Sequence, residues 1–194
     1  MNNHAASTAL NANIAALRAT LDATASLGPA LERAADLMVA SLERGGQLLA
    51  AGNGGSAADA LHLTCELVVR FRKDRRAYPA ICLAASGADL TAIGNDYAFE
   101  QVFARQVEAY GRPGDVLVVL SSSGNSANLR LALEAARAGG LGSVALLGRD
   151  GGFCRGLADV DVIVPGDATA RIQEAQKLLI HTLCELVEDG LGVG

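Results

Sequence analysis

Short, continuously apolar runs alternate along this chain with longer segments whose apolar residues recur at helical spacing. Such runs are typical of strands buried on both faces, and most of the segments between them are long enough for crossover helices. The predicted strands cover residues 47–51, 80–84, 116–120, 143–147 and 160–164. The alternation therefore predicts an α/β fold, a doubly wound three-layer sandwich with a five-stranded parallel sheet.

An N-terminal helical pair is predicted before the first strand. It covers residues 7–25 and 29–44, and Pro29 stands where the first turn of a helix accepts proline. The later helices are predicted over residues 56–71, 99–110, 126–138 and 170–188. Gly94–Asp96 predicts a short turn before the helix that begins near Phe99.

Apolar residues at helical spacing also predict which side of the helix over residues 56–71 is buried. We expect Leu61, Cys65 and Val68 or Val69 to face the core. The four cysteines contain no C-x-x-C pair and stand mostly among apolar neighbours, so we expect reduced thiols that act as small core residues. These are Cys65, Cys82, Cys154 and Cys184.

Composition limits the function classes. The chain has 194 residues, of which 51% are hydrophobic, so we expect one substantial core and a single domain over residues 1–194. A net charge of −5 with 16 basic residues argues against a nucleic-acid surface. No apolar stretch is long enough to span a bilayer, and the N-terminus lacks the pattern of a signal peptide. We expect a cytoplasmic protein with neither a nucleic acid nor a membrane as partner.

Two segments rich in glycine and serine each follow a predicted strand and lead into a predicted helix, at residues 51–59 and 121–126. The carboxyl ends of the strands are where doubly wound sheets bind ligands. Unpaired backbone N–H groups at a helix start attract anions, and serine hydroxyls add donors, so the two segments predict a site for a phosphorylated small molecule. The residues concerned are Asn53, Gly54, Gly55, Ser121, Ser122, Ser123 and Ser126.

Simpler interpretations of both segments remain open. The first could be only a tight turn, and in the second Ser126 could only cap the following helix. The dinucleotide-binding fingerprint and the P-loop lysine are both missing from the sequence.

Residues able to transfer protons or bind a metal stand at helical spacing after these segments. His62 and Glu66 are four apart, so they could share a metal ion or a substrate, or form only a surface pair. Gln173 and His181 are eight apart, roughly 12 Å along a helix, so they must lean together to meet one ligand. His181 could instead be a core histidine with satisfied hydrogen bonds. The third histidine, His4, stands close to the N-terminus.

One basic cluster follows the helix that carries His62. Its members are Arg70, Arg72, Lys73, Arg75 and Arg76. We interpret it as a solvated loop, with attraction of a substrate phosphate or a subunit contact as the alternatives.

In order and spacing, four segments resemble the sugar isomerase (SIS) domain family and, more narrowly, the bacterial phosphoheptose isomerases. They are residues 51–60, residues 90–96, residues 114–117 with the serine segment, and residues 171–174 with His181. The resemblance covers nearly the whole chain and implies a flavodoxin-like SIS domain. It also implies an aldose–ketose isomerase that converts sedoheptulose 7-phosphate to D-glycero-D-manno-heptose 7-phosphate, for heptose-containing surface polysaccharides.

The resemblance further implies the site residues and the assembly. Substrate would be bound by Asn53, Gly54, Gly55, Glu66, Asn95, Asp96, Ser121, Ser122, Ser123, Ser126 and Gln173. One Zn²⁺ per subunit would be bound by His62, Glu66, Gln173 and His181. The assembly would be a homotetramer with active sites between subunits, in which the helices of residues 1–45 take part in oligomer packing.

The implied reaction suits these residue types. Moving a carbonyl between C2 and C1 through an enediol requires a base for a carbon-bound proton, and Glu66 is the candidate. His181 could pass a proton between the two oxygens, while zinc would polarise the carbonyl. Three positions depart from the family pattern: Ser122 replaces a common Thr, Gln176 a frequent His, and Ala170 a frequently acidic residue.

Two other functions remain open. A non-catalytic SIS protein could bind a sugar phosphate or associate with a replication initiator, but it would have no need for Glu66 and His181 together. An isomerase of another ketose phosphate would share the same loops, because nothing in them measures sugar length.

Overall fold

The computed structural model describes residues 3–193, and the side chain of His4 lies outside what is described. Five parallel strands form one sheet in the order β2-β1-β3-β4-β5. The strands are β1 (Leu48–Gly52), β2 (Ala80–Cys82), β3 (Val116–Ser121), β4 (Gly142–Gly148) and β5 (Val160–Val164). The predicted α/β class and five-stranded parallel sheet are therefore confirmed.

Helices cover both faces of the sheet. They are α1 (Asn3–Thr24), α2 (Gly28–Glu43), α3 (Gly55–Val68), α4 (Gly87–Asp96), α5 (Ala104–Tyr110), α6 (Ala127–Ala138) and α7 (Thr169–Gly190). Short 3₁₀ turns occupy Ala25–Leu27, Phe99–Gln101 and Gly152–Cys154. Within residues 3–193, no helix combines the length and the apolar character that crossing a membrane would require.

Alternate residues of each central strand enter two separate core clusters, because successive side chains of a strand point to opposite faces. Leu48 and Val118 pack in one cluster with side chains of α2, α3 and α7. Leu49 and Val119 pack in the other with side chains of α5 and α6. The helix that follows β1 therefore lies on one face of the sheet and the helix that follows β3 on the other. The two glycine- and serine-rich loops diverge where this topology switches, which is where ligands bind in such sheets.

The buried side of α3 differs from the prediction. Leu61 is 51% exposed, Val69 is 62% exposed, and Cys65 and Val68 are exposed as well. The core is instead contacted by a set of residues one position earlier along the chain: Ala60, Leu63, Thr64 and Leu67. Both sets have helical spacing, and the small Ala60 side chain suits the set that packs closely on the sheet. The predicted inward positions are wrong.

The predicted turn at Gly94–Asp96 is also wrong, since these residues form the last turn of α4. Ser86 begins that helix by accepting a hydrogen bond from the Asp89 N–H at its side-chain oxygen. A 3₁₀ turn then separates α4 from α5, which begins at Ala104 rather than near Phe99.

The cysteines follow the prediction at three positions of four. Cys82, Cys154 and Cys184 are buried free thiols, whereas Cys65 is exposed. Burial raises the pKa of the Cys184 thiol to about 12, so it stays protonated. The buried cysteines are inert core residues.

Candidate functional site

The two loops form one polar pocket of about 210 Å³ at the carboxyl ends of β1 and β3. It is lined by Asn53, Ser56, Leu120, Ser121, Ser122, Ser123, Ser126 and Gln173. Gly54 adopts φ +56° at the start of α3, a conformation that favours glycine. The first loop is therefore more than a turn, because it forms one wall of a shared pocket. Ser56, which lines the same wall, was not predicted.

The serine hydroxyls have different partners. Ser121 and Ser123 accept hydrogen bonds from the backbone N–H groups of Gly124 and Asn125. Ser126 occupies the N-cap position of α6, but its side chain makes no capping hydrogen bond. The interpretation in which Ser126 only caps the helix is therefore wrong. A hydroxyl that accepts one bond still has a proton to donate, so these serines suit an anionic group beside a helix start.

Asn53 and Asn128 join the two loops by a reciprocal pair of amide hydrogen bonds. Each Nδ2 donates to the other Oδ1 at 2.9 Å, although the residues are 75 positions apart in sequence. Asn128 is buried in the first turn of α6. Sequence reasoning predicted Asn53 as a substrate-binding residue and missed Asn128. The pair fixes Asn53 at the pocket wall and leaves it the second hydrogen of Nδ2 and a second lone pair of Oδ1.

Gln173 reaches the pocket from α7 by packing against Gly55. A Cβ atom at Gly55 would lie 2.6 Å from Gln173 Nε2, so only glycine permits this approach. Gln173 therefore connects α7 to the loop that begins α3.

His62, Glu66 and His181 form a second group, here called the His62 group, on the facing sides of α3 and α7. The Nε2 atoms of the two histidines are 2.9 Å apart, and His62 Nε2 lies 3.4 Å from Glu66 Oε1. Burial lowers the pKa of His62, and the Lys177 ammonium lowers it further against the opposing charge of Glu66. His62 is thus disposed to stay neutral, the form that binds a metal. His181 is not an isolated core histidine.

Asp59 and Lys177 extend this group and were not predicted. Lys177 Nζ lies 2.6 Å from Asp59 Oδ1, and both residues line a cleft of about 420 Å³ with Gly55, Gln173 and Glu174. Lys177 stands midway between Gln173 and His181 at intervals of four, so one face of α7 carries all three. That spacing is the signal by which the sequence could have revealed Lys177.

The His62 group suits a zinc ion in donor type and in pairwise separation. Two ligands of tetrahedral zinc, each bonded at about 2.0–2.1 Å, lie roughly 3.3 Å apart, close to the 2.9 and 3.4 Å found between these side chains. Within residues 3–193, no three His, Cys, Asp or Glu side chains are arranged so that together they could hold a metal ion. A zinc ion would therefore require a rearrangement of these side chains.

Asn95 and Asp96 lie apart from this pocket. They occupy the exposed end of α4, where Asn95 Nδ2 donates to Asp96 Oδ1 at 2.8 Å. Neither lines the pocket formed by the two loops. Their predicted contact with substrate stays a prediction.

The departures from the family pattern lie in different surroundings. Gln176 is fully buried, where its Nε2 donates to the Leu146 carbonyl at 3.0 Å. Its Oε1 has no hydrogen-bond partner among the described residues. Ala170 is exposed in the first turn of α7, and Ser122 lines the pocket.

The basic cluster is only partly a solvated loop. Arg75 and Glu188 form an ion pair in which both side chains are 3% exposed. Arg72 and Lys73 pair with Glu185 and Asp189. The expectation holds only in part because the C-terminal end of α7 presents acidic residues to the loop. Local sequence does not reveal this pairing, since the two segments are about 115 residues apart.

Comparison with known proteins identifies the family to which this chain belongs. A family model described as the SIS domain matches residues 12–148. The phosphoheptose isomerase of Citrifermentans bemidjiense is 52% identical over 86% of this chain and 87% of its own length. That of Thiobacillus denitrificans is 49% identical over 90% of each chain.

Solved structures agree. A phosphoheptose isomerase from Neisseria gonorrhoeae superposes with a TM-score of 0.90 at 41% identity, covering 94% of this chain and 98% of that one. One from Francisella tularensis gives 0.91 at 36% identity, covering 95% and 98%. This chain therefore belongs to the phosphoheptose isomerases of the SIS domain family.

Proposed function

We propose that this chain is an aldose–ketose isomerase that converts sedoheptulose 7-phosphate to D-glycero-D-manno-heptose 7-phosphate in the cytoplasm, as a supplier of heptose for surface polysaccharides. Membership of the phosphoheptose isomerases supports the assignment of sedoheptulose 7-phosphate as the substrate. The single observation that carries the proposal is the arrangement along α7. Gln173 lines the polar pocket formed by the two loops, here called the serine pocket, and His181 lies two turns further along the same helix, beside His62 and Glu66.

In the proposed reaction the serine pocket holds the phosphate. Backbone N–H groups at the start of α6 and the hydroxyls of Ser121, Ser123 and Ser126 donate to its oxygens. Glu66 removes the carbon-bound proton and returns it to the neighbouring carbon, which gives the enediol and then the product. His181 transfers a proton between the two oxygens, and it is oriented for this by His62 on one side.

Zinc belongs to the proposal as a bound ion, one per subunit. His62, Glu66, Gln173 and His181 would hold it, with the first two and His181 already adjacent. When bound, it would polarise the substrate carbonyl.

A homotetramer with active sites between subunits is part of the proposal. Gln173 and His181 are eight residues apart, about 12 Å along α7, so a second copy of the chain could bring its own loops to the His62 group. Three apolar side chains close in sequence to His62, Glu66 or His181 are exposed, and a partner subunit could cover them. They are Leu61, Val69 and Leu178. Exposed Leu10 and Ile14 on α1 support the predicted role of residues 1–45 in packing.

Deuterium uptake tests the proposed function. The purified protein, with Zn²⁺ supplied, is incubated in D₂O with sedoheptulose 7-phosphate and, separately, with hexulose and pentulose phosphates. We expect exchange at C1 or C2 with the seven-carbon sugar and aldose formation. Exchange only with a shorter sugar would change the substrate, and exchange with none would favour the non-catalytic SIS alternatives.

Glu66→Gln tests the assignment of the base. The amide keeps the size of the side chain and cannot accept the proton, so we expect loss of exchange with the thermal stabilisation by substrate retained. Glu134→Gln, which changes an exposed carboxylate paired with Arg130 on α6, is the matched control and should exchange normally. Full activity of Glu66→Gln would remove Glu66 from this role.

A further inference from the structure

Phe71 contacts the candidate catalytic group from the loop that follows α3. Its ring stacks on the imidazole of His181, with centroids 5.6 Å apart and planes inclined by 25°. The His62 ring packs against the same imidazole, with centroids 5.1 Å apart. The His181 ring therefore contacts two other rings, one of which belongs to a loop.

Glu188 supports that loop. Its carboxylate accepts hydrogen bonds from three consecutive backbone N–H groups of the loop, those of Phe71, Arg72 and Lys73, at 3.0–3.2 Å. It also accepts one from Arg75 Nε at 2.9 Å. A buried carboxylate with four donors fixes the backbone at Phe71, and Glu188 stands on α7, the helix that carries His181.

Arg75 extends the support to the helix that carries Glu66. Its Nη2 donates to the carbonyl of Glu66 at 2.8 Å, and its Nη1 donates to that of Leu67 at 2.9 Å. These carbonyls lie in the last turn of α3, where helices leave acceptors without intrahelical partners. The same guanidinium therefore joins the end of α3 to α7 through Glu188.

We propose that Phe71 is a positioning residue for His181, held in place by the buried Glu188–Arg75 pair. This inference rests on the proposed function. The stacked ring restricts rotation of the imidazole, so that Nε2, which faces His62 Nε2, and the opposite ring nitrogen both keep their directions during the reaction. Substrate binding depends on the serine pocket, which Phe71 does not line. Loss of the ring should therefore slow the chemical step and leave binding unchanged.

Kinetics of Phe71→Leu test this division. We expect kcat for the sugar phosphate to fall about tenfold, because small displacements of a reacting group are costly. KM should stay within about twofold. Phe71→Tyr keeps the ring and should restore most of kcat, and Glu188→Gln should lower kcat as Phe71→Leu does. Phe99→Leu removes an exposed aromatic side chain outside the site and is the matched control.

NMR provides a readout that does not depend on turnover. The ring protons of His181 should shift in Phe71→Leu, because the ring current of Phe71 is lost, and should return towards the wild-type position in Phe71→Tyr. Unmoved His181 signals, or an unchanged kcat in Phe71→Leu beside an active wild type, would overturn the inference. An inactive wild type would instead overturn the proposed function, so the two failures are distinct.

Discussion

At the scale of single residues, the Asn53–Asn128 pair joins the two loops that form the serine pocket. Each side-chain amide donates one hydrogen bond to the other and accepts one from it, and the pair joins the loop after β1 to the first turn of α6. Sequence reasoning found Asn53 because it stands between glycines after a strand. It could not find Asn128, since a single amide in a helix carries no signal for a partner 75 residues away.

Asn128→Asp tests this pair. A carboxylate cannot donate to Asn53 Oδ1, so one of the two hydrogen bonds is lost and two acceptors meet. We expect KM for the sugar phosphate to rise, and the free energy of unfolding to fall by about 1–2 kcal/mol in urea titrations. Asn11→Asp on the exposed side of α1 is the control. Unchanged KM would mean that the pair does not shape the pocket.

At the scale of elements, the approach of α3 to α7 brings the site together. Gly55 lets Gln173 reach the pocket. One turn further along the two helices Asp59 pairs with Lys177, and about one turn beyond that His62 contacts His181. The facing sides of two helices therefore carry most of the candidate chemistry.

Gly55→Ala tests the closeness of this approach. The added Cβ would lie 2.6 Å from Gln173 Nε2, so the end of the glutamine side chain must shift from its present position. We expect kcat/KM to fall about tenfold or more, because a positioned group is displaced. Gly28→Ala, where a Cβ meets no atom within 4 Å, should leave activity unchanged. Equal activities of the two variants would contradict the role given to Gln173.

The elements also mark how far the sequence could predict the structure. Apolar runs identified all five strands, and they are continuous in β1 and β3, which are buried along their whole length, whereas β5 alternates between buried and half-buried residues. The side of α3 that is buried could not be chosen, since Ala60 with Leu63 and Leu61 with Cys65 fit a helix equally well. The pairing of residues 71–75 with Glu188 was also beyond reach, because it joins distant segments through backbone N–H groups.

At the scale of the whole molecule, the buried Glu188–Arg75 pair links stability to pH. Burial raises the pKa of Glu188, but hydrogen bonds from Arg72, Phe71, Arg75 and Lys73 outweigh it and leave the pKa below its ordinary 4.5. A carboxylate with a lowered pKa stabilises the fold above that ordinary value, and its contribution is lost as the pH falls through the folded pKa.

Glu188→Gln should therefore lower the free energy of unfolding at pH 7 by about 3 kcal/mol, since it leaves Arg75 buried without its partner. The difference from wild type should narrow as the pH falls below 4.5, where the wild type loses its own contribution. Urea titrations across this range measure both effects. Asp189→Asn removes an exposed partner of Lys73 and should cost less than about 1 kcal/mol. A pH-independent difference would contradict the lowered pKa.

The proposed tetramer is tested on the N-terminal helix. Leu10 and Ile14 are exposed on α1, so replacing both by Asp should shift the molecular mass in light scattering towards smaller assemblies. Phe153→Asp changes an exposed apolar residue elsewhere and is the control. An unchanged mass in the α1 variant would show that this helix does not pack between subunits.

The most direct measurement is a crystal structure of Glu66→Gln with sedoheptulose 7-phosphate bound. We expect the phosphate among the hydroxyls of Ser121, Ser123 and Ser126, with C1 and C2 of the sugar against residue 66 and His181 of the same or a neighbouring subunit. A phosphate bound away from the serine turn, or a carbonyl end out of reach of both residues in every subunit, would contradict the proposal.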